Sequence, residues 1–404
     1  MANLLENYGL EFFVEDEDAM MGFVAHNTKN GKAIPGYYDG LYLFNPMGSV
    51  EFWVKTERDE DGKLEVTGFD THGGNRCVWE LIHSGIDITP KDASKMERTV
   101  MFKRDDEEQG GLVPIELITA DVLPSLMEND KVTVQVLALP LDINYYATEE
   151  EYAEAQPDGE DGHKWLINNG SLMALSFLYN HSLDRYEQGK EYASDRYVHF
   201  VATVKKVCHG VFEFNGKKHN TYIRCYADTE FGELEFDHTL EQVPEEMRDN
   251  IKEGSIISGV CILSGDVAIG EYENGIVKDF DHNLRLLRYS LEKGESERLT
   301  RVLAPDVVYE TDTSGKSYHG AHSIIDRFTY VHDNRDSEYN TYFATIMEID
   351  EPGMEYPVGT RCIVLADEDE DGYESIAFIT VDENGMITKI KISTDGRYHF
   401  KIDE

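Results

Sequence analysis

The sequence predicts an α+β protein of several domains, with a strand-rich N-terminal part and helices followed by a sheet at the C-terminal end. Its 404 residues exceed the usual size of one domain. Residues 131–139 alternate apolar and polar side chains, as a half-buried strand requires. After residue 281, helical spacing of leucines precedes four strand-like segments, which is typical of α+β packing.

Residues 1–187 are expected to form a β-rich domain of no family that we recognise. Residues 41–44 and 50–54 are rich in aromatic and β-branched residues, and a turn sequence separates them. Thr148 and Glu151 have the spacing of a capping box, which predicts a short helix from residue 149. We therefore expect a helical and loop stretch over residues 148–187, inserted in or appended to this domain.

Residues 188–280 are expected to form an OB-like β-barrel, with its strands between residues 196 and 275. A strand hairpin, a third strand, a helix and a fourth strand follow one another there, in the order of such barrels. Asn215-Gly216 predicts a two-residue hairpin turn that pairs Phe214 with Lys217, and hence Cys208 with Ile223.

The N-terminal part and the barrel could be copies of one unit. Residues 130–142 align without gaps on residues 254–266, at an offset of 124 residues. Because a strand that follows a helix often gives such a match, the sequence leaves duplication open.

The charge balance restricts the partners of this chain. It has 79 acidic and 37 basic residues, a formal net charge of −42, which disfavours nucleic acid and anionic membranes and favours a basic protein partner. No apolar run approaches the length of a membrane span, and the first twenty residues lack the basic residues of a signal peptide. The five cysteines are scattered, as in reduced cytoplasmic proteins. We therefore expect a cytoplasmic protein.

Residues 281–404 carry the spacing of a known superfamily. A helix ends at Lys293-Gly294, residues 303–309 (LAPDVVY) enter a strand, and Gly320 precedes the next helix. This pattern resembles the NTF2-like superfamily, especially its SnoaL-like and ketosteroid-isomerase-like members. The resemblance implies a cone-shaped α+β domain with a pocket between a curled sheet and its helices.

The same resemblance indicates which positions would carry catalytic residues in an isomerase. Isomerase members of the superfamily place a carboxylate base after the first strand and a phenol on the first helix. The ungapped alignment puts Thr311 and Leu287 at these two positions, and neither has the required chemistry. Asp312 could act as a base only in an enzyme with a shifted alignment, because adjacent strand residues face opposite ways. The sequence therefore favours a protein without catalysis.

The expected ligand pocket is lined by Tyr309, Thr311, Phe328 and Tyr289. Tyr309 and Thr311 share a strand face, and Phe328 of the following helix is expected to supply an apolar wall. The pocket would suit a small apolar ligand. No cofactor or metal is expected, since no known phosphate-binding or zinc spacing occurs.

The most direct interpretation is a binding protein for a small molecule or another protein. Two alternatives stay open at this point. One is a SnoaL-like lyase, cyclase or isomerase with a small apolar substrate. The other is an acidic inhibitor or immunity-type protein for a basic partner. A homodimer is also left open.

Overall fold

We used a computed structural model of the chain. It describes residues 8, 10, 17–35, 41–47, 50–59, 61–73, 76–88, 98–104, 111–118, 126, 128–157, 166–175, 196–214, 217–267, 271–273, 276–278, 280–293, 296–312, 315–333, 342–350, 355–367, 375–394 and 398–400. Much of the expected helical and loop stretch, residues 158–165 and 176–187, lies outside these ranges.

The chain divides into two compact units. The first comprises Met1–Ala33, Tyr42–Asp121 and Met127–Ala268, and the second comprises Ile34–Leu41, Val122–Leu126 and Ile269–Glu404. The first unit thus contains residues on both sides of position 187, where we expected a domain boundary. The second contains the whole range expected to be NTF2-like.

Twenty-one strands and four α-helices lie in the described residues. The strands are β1 (Lys32–Pro35), β2 (Leu41–Met47), β3 (Val50–Arg58), β4 (Leu64–Gly73), β5 (Cys77–Asp87), β6 (Arg98–Lys103), β7 (Leu112–Leu117), β8 (Lys131–Tyr146), β9 (Leu172–Ala174), β10 (Tyr197–Phe214), β11 (Lys217–Thr229), β12 (Gly232–His238), β13 (Ile256–Val267), β14 (Glu271–Glu273), β15 (Ile276–Lys278), β16 (Leu303–Thr311), β17 (Ser317–His319), β18 (Tyr342–Glu348), β19 (Arg361–Asp367), β20 (Ser375–Val381) and β21 (Ile387–Ser393). The helices are α1 (Glu17–Asn30), α2 (Glu149–Ala155), α3 (Phe280–Lys293) and α4 (Ala321–Asp333), with 3-10 helices at Glu245–Asn250 and Ser296–Arg301.

The predicted helix α2 and its N-cap are present. The Thr148 hydroxyl accepts a hydrogen bond from the Glu151 amide at 3.2 Å, which satisfies an amide that the first turn of a helix leaves without a partner. The Glu151 carboxylate accepts from the Ala147 amide at 2.9 Å, one residue before the amide that a capping box uses.

A four-stranded sheet, in the order β1-β2-β3-β4, begins the first unit. Helix α1 packs on it through Phe23, whose ring centroid lies 4.4 Å from that of Phe52 on β3. The same apolar cluster includes Phe212 and Tyr222 from β10 and β11. This core therefore fastens the N-terminal layer to the large sheet of the unit.

The large sheet contains nine strands and closes on itself twice. β5, β6, β7, β13 and β8 form one ring, here the first ring, and β10, β11, β12, β8 and β13 form the second ring. Both rings share the antiparallel pair β8–β13. The first ring contains one set of consecutive strands, β5 to β8, and the second ring contains another, β10 to β13. Each ring is closed by one strand of the other set: β7 pairs in parallel with β13, and β12 pairs in parallel with β8.

The starts of β8 and β13 lie 125 residues apart. Lys131 pairs with Ile82 in the first ring, and Ile256 pairs with Thr203 in the second. Ala138 and Leu263 are separated by the same 125 residues and pair with each other.

The start of β8 and of β13 repeats one hydrogen-bonding pattern. The Asn129 amide donates to the His83 carbonyl at 2.8 Å, and the Gly254 amide donates to the Val204 carbonyl at 2.7 Å. Asn129 and Gly254 both have left-handed backbones, with φ of 66° and 85°. These matches lie 125 residues apart, one more than the offset of 124 suggested by the sequence, and duplication stays a prediction.

The hairpin at Asn215-Gly216 has the predicted turn pairing but a different register further on. Phe214 pairs with Lys217, as expected, whereas Cys208 pairs with Arg224 instead of Ile223. A bulge between Val211 and Glu213 shifts the register by one residue. Such a bulge left no signal in the alternation of the sequence.

The second unit contains a six-stranded sheet in the order β17-β16-β21-β20-β19-β18, with helices α3 and α4. All neighbouring strands are antiparallel except β16 and β21. The predicted succession of helices and then a meandering sheet is confirmed. The Asp382–Gly385 turn that leads into β21 is also present, where the Gly385 amide donates to the Asp382 carbonyl at 3.0 Å.

The two faces of this sheet support separate apolar clusters. One cluster joins α3, α4 and the strands through residues such as Leu287, Phe328 and Ile390. The other lies on the opposite face, where Tyr356 stacks on Phe378 with ring centroids 3.8 Å apart. Alternation along each strand therefore separates a helix-covered face from a second buried face.

Candidate functional site

Tyr309 lies on the helix-covered face of the second unit, at the C-terminal end of β16. It pairs directly with Tyr318 of β17, and their ring centroids are 5.8 Å apart in an edge-on arrangement. Phe328 of α4 approaches the same tyrosine edge-on at 5.5 Å. The predicted contact between Tyr309 and Phe328 is therefore present, and Tyr318 completes an aromatic cluster of three rings.

Arg327 extends this aromatic cluster towards the surface. Its guanidinium carbon lies 5.6 Å from the centroid of Tyr318 and 5.8 Å from that of Tyr330, which are cation–π distances. Tyr330 is 60% exposed, whereas Phe328 is buried. Helix α4 thus presents a buried apolar ring, Phe328, beside a partly exposed cation, Arg327, and an exposed ring, Tyr330.

The phenol of Tyr309 is partly desolvated in this cluster. Burial raises its pKa above the usual value, Arg327 lowers it and Tyr318 raises it further. A neutral phenol of this kind donates one hydrogen bond and accepts others. It can therefore orient a polar group on a ligand that is otherwise apolar.

Thr311 and Asp312 lie at the end of the same strand with different exposure. Thr311 is half-buried and shares the strand parity of Tyr309, whereas Asp312 is exposed. Asp312 contributes, after Glu355, to the raised pKa of Lys391. Glu310 pairs with Lys389 at 2.7 Å. Both carboxylates thus interact with lysines of β21.

Helix α3 carries the two remaining residues that the sequence analysis singled out, Leu287 and Tyr289. Leu287 is fully buried in the apolar cluster, and Tyr289 is half-buried. His282, near the start of this helix, is buried, and burial together with Arg285 lowers its pKa to about 4. Asn283 donates to the Gly385 carbonyl at 2.6 Å, which fixes the helix against the turn before β21.

Two side chains of the aromatic cluster were missed from the sequence. Tyr318 stands in a strand of three residues, and Arg327 precedes a core phenylalanine. The cross-strand pairing of Tyr309 with Tyr318 needs the register of β16 and β17, which the sequence does not contain. The Tyr-x-x-x-x-x-x-x-x-Arg spacing is not a recognised motif.

No family model matches the sequence, and no curated protein matches it. Solved structures with related folds are similar to about a third of the chain. One is an uncharacterised protein with a cystatin-like fold from Silicibacter pomeroyi, with 15% identity over 28% of this chain and 72% of that chain, at a TM-score of 0.21.

Two further solved structures are similar to part of the chain. A steroid delta-isomerase from Pseudomonas aeruginosa has 17% identity over 28% of this chain and 75% of its own, at a TM-score of 0.21. An NTF2-like protein of unknown function from Cytophaga hutchinsonii has 8% identity over 30% and 88%, at a TM-score of 0.20. These likenesses concern fold and assign no function to this chain.

Within the described ranges, no group of three or more His, Cys, Asp or Glu side chains is placed to hold a metal ion. None of the described helices has the length and apolar character of a membrane span.

Proposed function

We propose that this chain is a non-catalytic binding protein whose C-terminal NTF2-like domain takes a small, mostly apolar ligand beside Tyr309. The ligand would lie against Tyr309, Thr311 and Phe328, with Tyr289 as a further wall. The observation that carries the proposal is the half-buried phenol of Tyr309 within three aromatic rings. Apolar walls with few polar groups are typical of small-molecule sites.

A binding function accounts better for the positions of the carboxylates than an isomerase does. A base that abstracts a carbon-bound proton must face the substrate, and burial usually raises its pKa. Asp312 is exposed and Glu310 pairs with Lys389. Leu287 offers no donor for an oxyanion. The catalytic alternative would require another acid and another donor.

The proposal is tested with Nile red, a neutral apolar dye, added to the full-length chain. Replacement of Tyr309 by leucine removes the aromatic ring and the hydroxyl that would contact the dye. Because an aromatic contact with the dye would contribute about 0.5–1.5 kcal/mol beyond area burial, we expect the Kd to rise about 3- to 10-fold. A fluorescence titration measures this Kd.

Tyr356→Leu provides a matched control for this titration. Tyr356 is a half-buried tyrosine of the same unit that stacks on Phe378 in the other apolar cluster. Its replacement should leave the Kd unchanged. Equal effects of the two variants, or no saturable binding by the wild-type chain, would refute the proposed site.

We also propose that the second ring is OB-like. Its strands β10, β11 and β12 form a meander, a 3-10 helix follows, and β13 returns antiparallel to β10. In this proposal β8 supplies the fifth strand, in parallel with β12. Residues 196–275 contain 8 basic and 14 acidic residues, so we assign this ring no nucleic-acid function.

A further inference from the structure

Arg327 is a cation at the edge of the aromatic cluster formed by Tyr309, Tyr318 and Phe328. Its guanidinium carbon lies over two rings, 5.6 Å from the centroid of Tyr318 and 5.8 Å from that of Tyr330. A planar guanidinium can stack on aromatic faces and still direct its N–H groups outward from its edge. The two tyrosines therefore hold the cation beside the cluster and leave its donors available.

The N–H groups of Arg327 have no acceptor in the described part of the chain. No carboxylate there lies at ion-pair distance from Arg327, and no oxygen there accepts a hydrogen bond from it. Arg361 of the same unit, by contrast, pairs with Asp281. Arginine has five N–H donors, and the Arg327 side chain is half-buried. Its donors can therefore bind a ligand without first breaking an ion pair.

The acidic residues next to this place in the sequence are directed elsewhere. Glu310 follows Tyr309 in β16, and adjacent strand residues point to opposite faces. Glu310 also pairs with Lys389 at 2.7 Å. Asp326 precedes Arg327 on α4 and is exposed, and adjacent residues of a helix do not face each other. Neither carboxylate therefore neutralises the guanidinium.

The net charge of −42 repels anions from most of the surface of this chain. At physiological salt, however, charges more than about 8 Å away are largely screened. A local cation is therefore required if an acid is to bind, and Arg327 is such a cation.

The Tyr309 hydroxyl is a second donor beside the same ring. Tyr309 meets Tyr318 edge-on at 5.8 Å, and Arg327 lies over Tyr318. Burial raises the pKa of Tyr309 and Arg327 lowers it, because the positive charge acts on the phenol. A phenol and a guanidinium both donate hydrogen bonds, so together they suit an acceptor with negative charge.

We propose that the ligand beside Tyr309 is an aromatic carboxylate, whose ring packs in the aromatic cluster and whose carboxylate accepts hydrogen bonds from Arg327 and Tyr309. This ligand class rests on the proposed function, since it describes the ligand of that same site. The planar guanidinium matches the two oxygens of a carboxylate. The rings of Tyr309, Tyr318 and Phe328 favour an aromatic body, because aromatic pairs gain energy beyond the burial of area.

The test compares 2-naphthoate with 2-naphthamide, an uncharged molecule of nearly the same shape, on the full-length chain at pH 7. Isothermal titration calorimetry measures both Kd values. We expect the wild-type chain to bind 2-naphthoate about tenfold more tightly than the amide, since a hydrogen bond to a charged group contributes at least this factor. Equal Kd values, or tighter binding of the amide, would refute the carboxylate.

Arg327→Gln removes the charge and keeps a polar side chain. The Kd of 2-naphthoate should rise about tenfold, and that of 2-naphthamide should change less than about twofold. Arg361→Gln is the matched control, because it removes the same charge from a half-buried arginine that already has a partner, Asp281. It should leave both Kd values unchanged. Equal weakening of 2-naphthoate binding in the two variants would show that only net charge matters, and would overturn the proposal.

If Arg327→Gln does not fold, Arg327→Lys decides. Lysine keeps the charge but lacks the planar pair of donors, so the Kd of 2-naphthoate should rise about threefold while that of 2-naphthamide stays the same. An unchanged ratio of the two Kd values contradicts a role for the guanidinium.

The Nile red titration separates the ligand class from the binding site itself. Saturable dye binding that weakens in Tyr309→Leu, together with equal Kd values for the two naphthalenes, would overturn the carboxylate and leave the proposed function intact. Absence of binding by the dye and by both naphthalenes would overturn both.

Discussion

Three buried, uncharged side chains of the second ring, Tyr145, His238 and Cys225, are connected by hydrogen bonds. The Tyr145 hydroxyl lies 2.8 Å from His238 Nε2 and 3.0 Å from Cys225 Sγ. His238 Nδ1 lies 2.8 Å from the Thr239 carbonyl, so Nδ1 carries the hydrogen and Nε2 accepts from the phenol. Burial lowers the pKa of His238 to about 4 and raises that of Cys225 to about 12. The imidazole and the thiol are therefore both uncharged at neutral pH.

This arrangement makes stability depend on pH in the acid range. Unfolded His238 binds a proton below pH 6.5, whereas the folded side chain binds it only near pH 4, so stability is lost as the pH falls between these values. The loss should be about 3 kcal/mol for this residue. Denaturant titrations from pH 7 to pH 4 should show a smaller loss in His238→Gln.

Glu235 opposes this effect, because its raised pKa removes stability as the pH rises from 4.5 to about 8. Between pH 4.5 and 6.5 the two effects should nearly cancel, so the free energy of unfolding of the wild type should be level there and should fall as the pH rises from 6.5 to about 8. His209→Gln, at an exposed histidine of β10, is the control and should keep the wild-type profile. An identical acid slope in His238→Gln and the wild type would contradict the assignment.

The sequence pattern predicted the surroundings of some residues and not of others. The resemblance to the NTF2-like superfamily implied that Phe328 lies opposite Tyr309, and the two rings are 5.5 Å apart. The buried ion pairs of Arg224 with Glu235 and Asp237 were not predicted, because the two acidic residues alternate with apolar residues just as the solvent face of a strand does. Asp237 is covered in part by Tyr8, which is distant in sequence.

At the level of elements, the shared pair β8–β13 depends on two glycines. A Cβ at Gly265 would lie 2.1 Å from the Gln135 carbonyl oxygen, and one at Gly259 would lie 1.9 Å from that of Asp142. Both obstacles are backbone atoms, which cannot rotate away. These glycines therefore permit the close approach of the two strands.

Gly265→Ala should accordingly destabilise the chain by about 3 kcal/mol, since a clash with a buried backbone forces the strands apart. Gly22→Ala is the control, because nothing lies within 4 Å of a Cβ at this helical position. It should stabilise α1 by up to about 1 kcal/mol. Urea titrations measure both values, and an equal or smaller loss for Gly265→Ala would show that the pair can adjust.

The elements of the second unit were more predictable than those of the first. In the second unit, neighbouring strands mostly follow one another in sequence, so local periodicity and turns define them. In the first, β7 and β12 each pair with a strand from the other set, and no local pattern reports such pairing. The sequence suggested an offset of 124 residues, whereas β8 and β13 start 125 residues apart, and an error of one residue exchanges the faces of a strand.

At the scale of the molecule, the second unit has a core of its own. Every buried member of the cluster on its helix-covered face lies between Leu284 and Ile392. A chain of residues 269–404 should therefore unfold in one cooperative thermal transition. Calorimetry checks this expectation. Absence of a transition, while the full-length chain melts normally, would show that residues 34–41 or 122–126 are required.

The net charge of −42 also acts at this scale. Like charges repel copies of the chain from one another and attract basic molecules, with a strength that falls as salt increases. A basic protein partner therefore stays a prediction of the sequence.

The shared strands of the two rings have a consequence for synthesis on the ribosome. β8 ends at Tyr146 and β13 begins at Ile256, so the first ring lacks its closing strand while the intervening residues are made. At about 5–20 residues per second, this delay is on the order of ten seconds. Throughout that time the free edge of β7 can pair with a foreign strand. Nascent chains on neighbouring ribosomes could thus exchange β13, and a holding chaperone would be most useful during this interval.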